Sequence, residues 1–301
     1  KLLDLLKSPD NRVRYRAKIE LSSRRTERVM EVLASWVKSL DPKDPEYEHH
    51  LMETLWLHQH HNVYNAELLN RMLTSSDFRA RAAATFVLCY WRDRSDNTLD
   101  LLRKLAADEH PRVRMEAVRA ASFLRDPAAI EVVVIAKNRP TDRFLDYVIR
   151  ETERALQPYW KTELDQGRPL VMKTPEGWDF YYEQLPTEAL LKLPASLEVS
   201  RQLVNRANVT DDIRLNAVRD MATRNKTTPV QELVRIIQQI DASTKPIDDS
   251  VVFDLVRLLG AQGADQLGQI RSELERFALS AKSPVIRQSG LLGLIAVDKS
   301  T

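Results

Sequence analysis

Apolar residues recur along the chain three and four positions apart, and one arrangement of them returns as a block. Ser8-Pro9-Asp10-Asn11-Arg12-Val13-Arg14-Tyr15-Arg16-Ala17 has the same layout as Ser75-Ser76-Asp77-Phe78-Arg79-Ala80-Arg81-Ala82-Ala83-Ala84. Asp108-Glu109-His110-Pro111-Arg112-Val113-Arg114-Met115-Glu116-Ala117 is a third copy. Each reads as a helix start. A Ser or Asp side chain accepts from free backbone N–H groups, and proline fits where no N–H is needed. Val13 and Ala17, and their counterparts, fall one turn apart on one face, so a neighbouring helix can approach closely.

The copies set a period. Ala80 to Val113 is one step near 33 residues, Val13 to Ala80 is about two, with Tyr47 at the midpoint, and the next step lands on Tyr147. Such a period with helical patterning predicts stacked helix pairs. Partner helices are predicted over 27–40, 66–73, 97–106 and 128–136. Val132, Val133 and Val134 make strand a local alternative in the last, and the flanking helices decide for helix. The helical array is expected to end near Tyr159-Trp160. Gly167, Pro169, Pro175 and Gly177 then break the pattern beside Trp178, Phe180, Tyr181 and Tyr182, predicting an irregular connector whose aromatics pack back on the helices. Helices resume over 187–193, 196–205, 230–240, 248–259 and 267–279. The opening motif returns at Thr210–Ala217 and Ser283–Gly290. The expected organisation is all-α, an α-solenoid in two arrays, 1–160 and 185–301, joined by the connector 161–184.

Composition narrows the function classes. With 43% hydrophobic and 29% charged residues, the 301-residue chain reads as soluble and able to bury a core. Seven glycines argue against phosphate-cradling loops, and a net charge of +2 weakens a nucleic-acid reading. Cys89, the single cysteine, can form no internal disulfide, Cys-based zinc site or CxxCH haem attachment, and reads as a small buried residue. No apolar run is long enough to cross a bilayer. The chain opens inside a helical pattern, Lys1–Lys7, and its end at Thr301 closes no helix pair, so it is expected to be cut from a longer protein.

Asp-x-x-Val-Arg-x-x-Ala at the start of the second helix resembles short HEAT repeats over most of the chain. The ankyrin Thr-Pro-Leu-His and tetratricopeptide Trp-Leu-Gly-Tyr signatures are absent. A narrower resemblance rests on Asp41–Leu51, Leu55–Val63, Arg79–Ala84, Cys89–Asp93, Ala106–Arg114 and Leu190–Pro194. These segments are similar to large planctomycete and verrucomicrobial haem-binding proteins, in which a propeller resembling sugar dehydrogenases precedes a HEAT array and a cytochrome-c-like CxxCH domain follows. That resemblance implies an exported or periplasmic parent, with haem c held outside these residues and any redox activity lying outside them too.

Five of the six histidines lie between His49 and His61. His58 and His61 share a helix face, with His50 two turns before His58. The plain reading is a helix end whose imidazoles bond the last carbonyls; the sharper ones are metal or haem contact through His50, His58 and His61, or pH sensing. HExxH is absent. Arg14, Arg81 and Arg114, with Arg214 and Arg287, recur with the repeat. They are candidates for partner binding on an anion-attracting surface, set against stems packed between repeats and paired with Asp10, Asp77 or Asp108. Trp36, Trp56, Trp91, Trp160 and Trp178 read as core anchors rather than base-stacking platforms. Asp211-Asp212 and Asp248-Asp249 sit at helix starts, where they suit the dipole. No Ser-His-Asp signature, Walker loop or dinucleotide fingerprint appears.

The expected function is a non-catalytic scaffold without cofactor, holding flanking domains or a partner protein. The alternative is a nucleic-acid-binding or base-excising protein with basic residues, a carboxylate and an aromatic gathered on one face.

Overall fold

The structure, a computed structural model, describes residues 1–243 and 247–298; the expectation resting on Thr301 falls outside them. The chain divides into two compact units, Lys1–Gly177 and the remainder from Trp178. Among the described residues the regular elements are all helices.

The first unit contains α1 (Asn11–Ser22), α2 (Thr26–Lys38), α3 (Tyr47–His60), α4 (Ala66–Leu73), α5 (Phe78–Tyr90), α6 (Thr98–Ala106), α7 (Pro111–Ala121), α8 (Ile130–Lys137) and α9 (Arg143–Asp165). A short 3-10 turn over Leu3–Lys7 precedes them and packs on α1. Helices α1, α3, α5, α7 and α9 touch in that order and form one layer. Helices α2, α4, α6 and α8 pack against the other side of it. This is the two-helix repeat of a solenoid, in which each pair buries apolar surface against its neighbour.

The sequence motif does what its chemistry requires. Asp10 accepts from Arg12 N at 2.8 Å, Asp77 from Arg79 N at 2.9 Å, and Asp142 from Phe144 N and Leu145 N at 2.9 Å. The third copy differs: Pro111 fills the first helical position and His110 Nδ1 accepts from Arg112 N at 3.2 Å. Asp108 is thereby left to bond His110 N and a guanidinium of the preceding repeat. The small residues Ala17, Ala84 and Ala117 are buried at the layer contacts. The 128–136 segment is helical, as its flanks demanded, with Val132 and Val133 fully buried.

Helix α9 runs past the expected end at Trp160 and through Pro158. Proline removes the bond to the carbonyl four residues back. Pro158 and Arg154 are both exposed, which leaves that carbonyl on the solvent side. In the 161–184 stretch only 166–174 is irregular, because α10 (Pro175–Gln184) follows. Pro175 stands at its start, where a missing N–H costs nothing. The buried Glu131 carboxylate from α8 accepts from Lys173 N and from Thr174 N and Oγ1 just ahead of it. Gly177 is required by closeness rather than by a turn, since a Cβ there would lie 2.5 Å from Glu131 Oε1.

The second unit adds α11 (Thr187–Leu190), α12 (Leu197–Asn205), α13 (Asp211–Asn225), α14 (Pro229–Ala242), α15 (Asp249–Gly260), α16 (Ala264–Gly268), α17 (Arg271–Ser280) and α18 (Pro284–Asp298). Helices α12 and α13, α14 and α15, and α17 and α18 pair, with α13, α15 and α18 adjacent in turn. Val218, Leu233, Leu255 and Leu274 are fully buried in one cluster. The single helix expected over 267–279 is broken, with Ile270 capping α17. Gly290 lets α18 cross α17 closely: a Cβ would meet Ala278 N at 2.6 Å and Leu274 O at 2.7 Å.

Candidate interaction surface

The recurring arginines share one geometry. Arg14 Nη1 donates to Ser8 O at 2.7 Å and Pro9 O at 3.0 Å. Arg81 Nη1 donates to Ser75 O at 2.9 Å and Ser76 O at 3.2 Å, and Arg114 Nη1 to Asp108 O at 2.8 Å and Glu109 O at 2.9 Å. Arg287 repeats the pattern in the second unit, on Ala281 O and Lys282 O. Arg214, fully buried, donates instead to Val204 O and Arg206 O and pairs with Asp254. The guanidinium groups of Arg14, Arg81, Arg114 and Arg287 thus reach back to carbonyls of the loop that enters their own helix, satisfying acceptors that a turn leaves over, whereas Arg214 reaches the last turn of α12 as well. Arg81 also grips Asp108 of the next repeat through Nε at 2.8 Å and Nη2 at 3.0 Å. Of the three partner-binding candidates, Arg81 and Arg114 are buried and the Arg14 side chain is 15% exposed.

The histidines disperse. His50 packs edge-on to Trp36 with its Nδ1 3.9 Å from Asp44 Oδ2. His58 Nε2 lies 3.2 Å from Asn65 Nδ2, which makes the imidazole nitrogen the acceptor. His61 bonds Thr26 Oγ1 and Leu21 O. Burial lowers the pKa of His50 and His58, which favours neutral rings. Among the described residues no three His, Cys, Asp or Glu side chains form a group able to hold a metal ion.

The sequence pattern did not reveal the role of Glu53. Its carboxylate, 1% exposed, is met by Lys18 at 2.9 Å, Arg14 at 3.1 Å and His49 at 3.3 Å. Burial pushes its pKa up, but hydrogen bonds from His49 and Lys18 outweigh that, so the net shift is down. Its other neighbours come from α1, more than thirty residues away, and no local signal announces them. Glu131 is likewise fully buried and bound by Arg103.

The layer's outward side opens into a groove across α3, α5 and α7. A cavity of about 360 Å³ is floored by Ala82 and Ala83, walled by Trp56, Phe78 and Phe86, and rimmed by Arg79 and Arg112. A second, of 320 Å³, continues it over Met52 and shares Trp56, Arg79 and Ala83. Lys18 Nζ sits 4.6 Å from the Trp56 ring centre and the Arg119 guanidinium 4.6 Å from that of Phe86. Trp36 and Trp91 are core anchors as expected, whereas Trp56 also faces this opening. The run Ala82-Ala83-Ala84 was the one signal in the sequence: two small side chains at outward positions leave a pit between aromatics.

Other candidates resolve into local structure. Asp248 caps α15 through Ser250 N at 2.9 Å, and Asp211 pairs with Arg257. Cys89 is buried, and burial raises its thiol pKa. Among the described residues no helix is long and apolar enough to cross a membrane.

Residues 65–156, from the turn before α4 into α9, match a family model described as HEAT repeats. No curated protein matches the chain. The described residues are all-α stacks of helix pairs, HEAT-like over 65–156, and HEAT repeats are typically non-catalytic and suggest a protein-interaction scaffold.

Proposed function

We propose that this chain is a non-catalytic scaffold holding a partner protein, or the domains that flank it, within an exported multidomain haem-binding protein. The observation that carries the scaffold role is the groove on α3, α5 and α7: an open aromatic cleft on a layer whose ionic groups are otherwise largely committed to its own loops. The haem-protein context rests on the resemblance of Asp41–Leu51, Leu55–Val63 and Ala106–Arg114 to such proteins. In that reading haem c belongs to a downstream CxxCH domain, and this chain carries none. Two experiments test the proposal. Purified chain assayed against hydrolase and oxidoreductase substrates is expected to show no turnover that a single substitution abolishes; such turnover would defeat the scaffold role. The complete reading frame is expected to carry a propeller upstream and CxxCH downstream, and a frame lacking both would remove the haem-protein context.

A further inference from the structure

We propose that the α3–α5–α7 groove is a docking site for an acidic segment of a partner protein that inserts one apolar anchor side chain. This rests on the scaffold reading and names its partner's chemistry. The pit over Ala82 and Ala83, between Trp56, Phe78 and Phe86, offers apolar walls to one large side chain. Its surroundings are cationic at the surface and anionic underneath. Arg79 and Arg112 have side chains 80% and 59% exposed, whereas Glu116 beneath Arg112 is 6% exposed and already accepts from Arg112 at 3.0 Å and Arg119 at 2.9 Å. Glu53 is likewise covered by Lys18 and Arg14. Asp77 is occupied in capping α5, with Arg79 Nε 3.5 Å away. Cations therefore reach farther into solvent than the carboxylates that partly neutralise them, and a carboxylate-bearing ligand meets the cations first.

The far end distinguishes a peptide from a nucleic acid. There the groove is lined by Glu46 and Glu48, with Glu48 held by Arg71 and Ser75. A phosphodiester strand carries a charge at every step and would be repelled at that end. A peptide can place neutral or basic residues there and its acidic ones over Arg79 and Arg112.

The test uses the whole chain and fluorescence anisotropy. The probes are a panel of labelled short Glu/Asp-rich peptides, each with one Leu, Phe or Trp anchor. Comparators are their anchor-to-Ala and Glu-to-Lys counterparts and a labelled single-stranded oligothymidylate. At least one acidic, anchored peptide is expected to bind tighter than roughly 100 µM. Binding should weaken about tenfold or more when the anchor becomes Ala, when Ala83→Trp fills the pit, and when Arg79→Glu and Arg112→Glu are combined. Arg219→Glu, on α13 in the second unit, should leave it unchanged. The two arginine side chains are exposed, so that variant keeps the test open if Ala83→Trp fails to fold by circular dichroism. Binding by no member of the panel, equal binding of the lysine peptides, tighter binding of the oligothymidylate, or indifference to the groove variants would each overturn the site. Any of these removes the acidic-segment reading of the groove, whereas turnover of a substrate by the chain would defeat the scaffold role itself.

Discussion

Replacing Arg81 by Met removes the guanidinium while keeping most of the stem that packs between repeats. Three sets of partners are then stranded. Ser75 O and Ser76 O lose donors at 2.9 and 3.2 Å, and Asp108 loses a two-point contact at 2.8 and 3.0 Å. The Arg81 and Asp108 side chains are each only 11% exposed, so solvent replaces little of this. A lost hydrogen bond costs about 1 kcal/mol, more where a charge is left behind, and breaking a largely buried pair costs about 3–5 kcal/mol. In a unit of 177 residues, Lys1–Gly177, that is a fall in melting midpoint of roughly 6–20 °C. Urea unfolding followed by circular dichroism measures the free-energy loss, and a thermal scan the midpoint. Adding Asp108→Asn removes the stranded charge and keeps an acceptor for His110 N, so the double variant should recover about 1–3 kcal/mol. The pair also sets a pH dependence. Burial pushes the Asp108 carboxyl up, yet the hydrogen bonds from Arg81 and from His110 N prevail, and its pKa is held below the ordinary aspartate value. A folded value below the unfolded one stabilises above the unfolded pKa, and that stabilisation fades as pH falls through the folded one. The gap between wild type and Arg81→Met should therefore narrow as the solution is made acidic and Asp108 is protonated. A single variant within about 0.5 kcal/mol of wild type, or no coupling to Asp108, would refute the reasoning.

Gly290→Ala puts a methyl against backbone atoms of α17 that cannot swing aside, and a loss of about 1–3 kcal/mol is expected in urea unfolding. Gly177→Ala presses on Glu131 Oε1 and should loosen its hold on Lys173 N and Thr174 N, read as faster amide exchange at 173–174. Glu131→Gln keeps the size but weakens acceptance from Arg103 and the Thr174 N–H, so it should destabilise by about 1–3 kcal/mol in the same unfolding assay. Cys89 should resist maleimide in the folded chain and react fully in denaturant, because its thiol is buried and its pKa raised.

Helix starts were legible because their chemistry is local. Asp10, Asp77, Asp142 and Asp248 announce themselves two residues before the N–H they accept from, and the buried Ala or Val one turn apart marks the contact face. Ser196 likewise caps α12 by accepting from Val199 N, whereas Thr187 is itself the first residue of α11 and Pro186 stands before it without a side-chain cap. What escaped depends on residues distant in sequence. Pro175 and Gly177 look like breakers until Glu131, more than forty residues earlier, is seen to anchor the chain ahead of α10. The role of the arginines was readable only in outline: their periodicity was evident, but their carbonyl acceptors five and six residues back are set by how the loop folds. The histidine cluster misleads for the opposite reason. Spacing placed His58 and His61 on one face, yet His58 turns to Asn65 while His61, at the helix end, turns to Leu21 and Thr26. The groove was nearly invisible, since Trp56, Phe78 and Phe86 hold unrelated positions in their repeats and meet only when the layer assembles.

Amide hydrogen exchange on the whole chain, with and without a saturating acidic, anchored peptide, tests most directly that this layer is a binding face. Slowed exchange is expected to be confined to α3, α5 and α7 and to the loop entering α5, with the remaining helices unchanged. Protection centred on α2, α4, α6 and α8, or on the second unit, would contradict it.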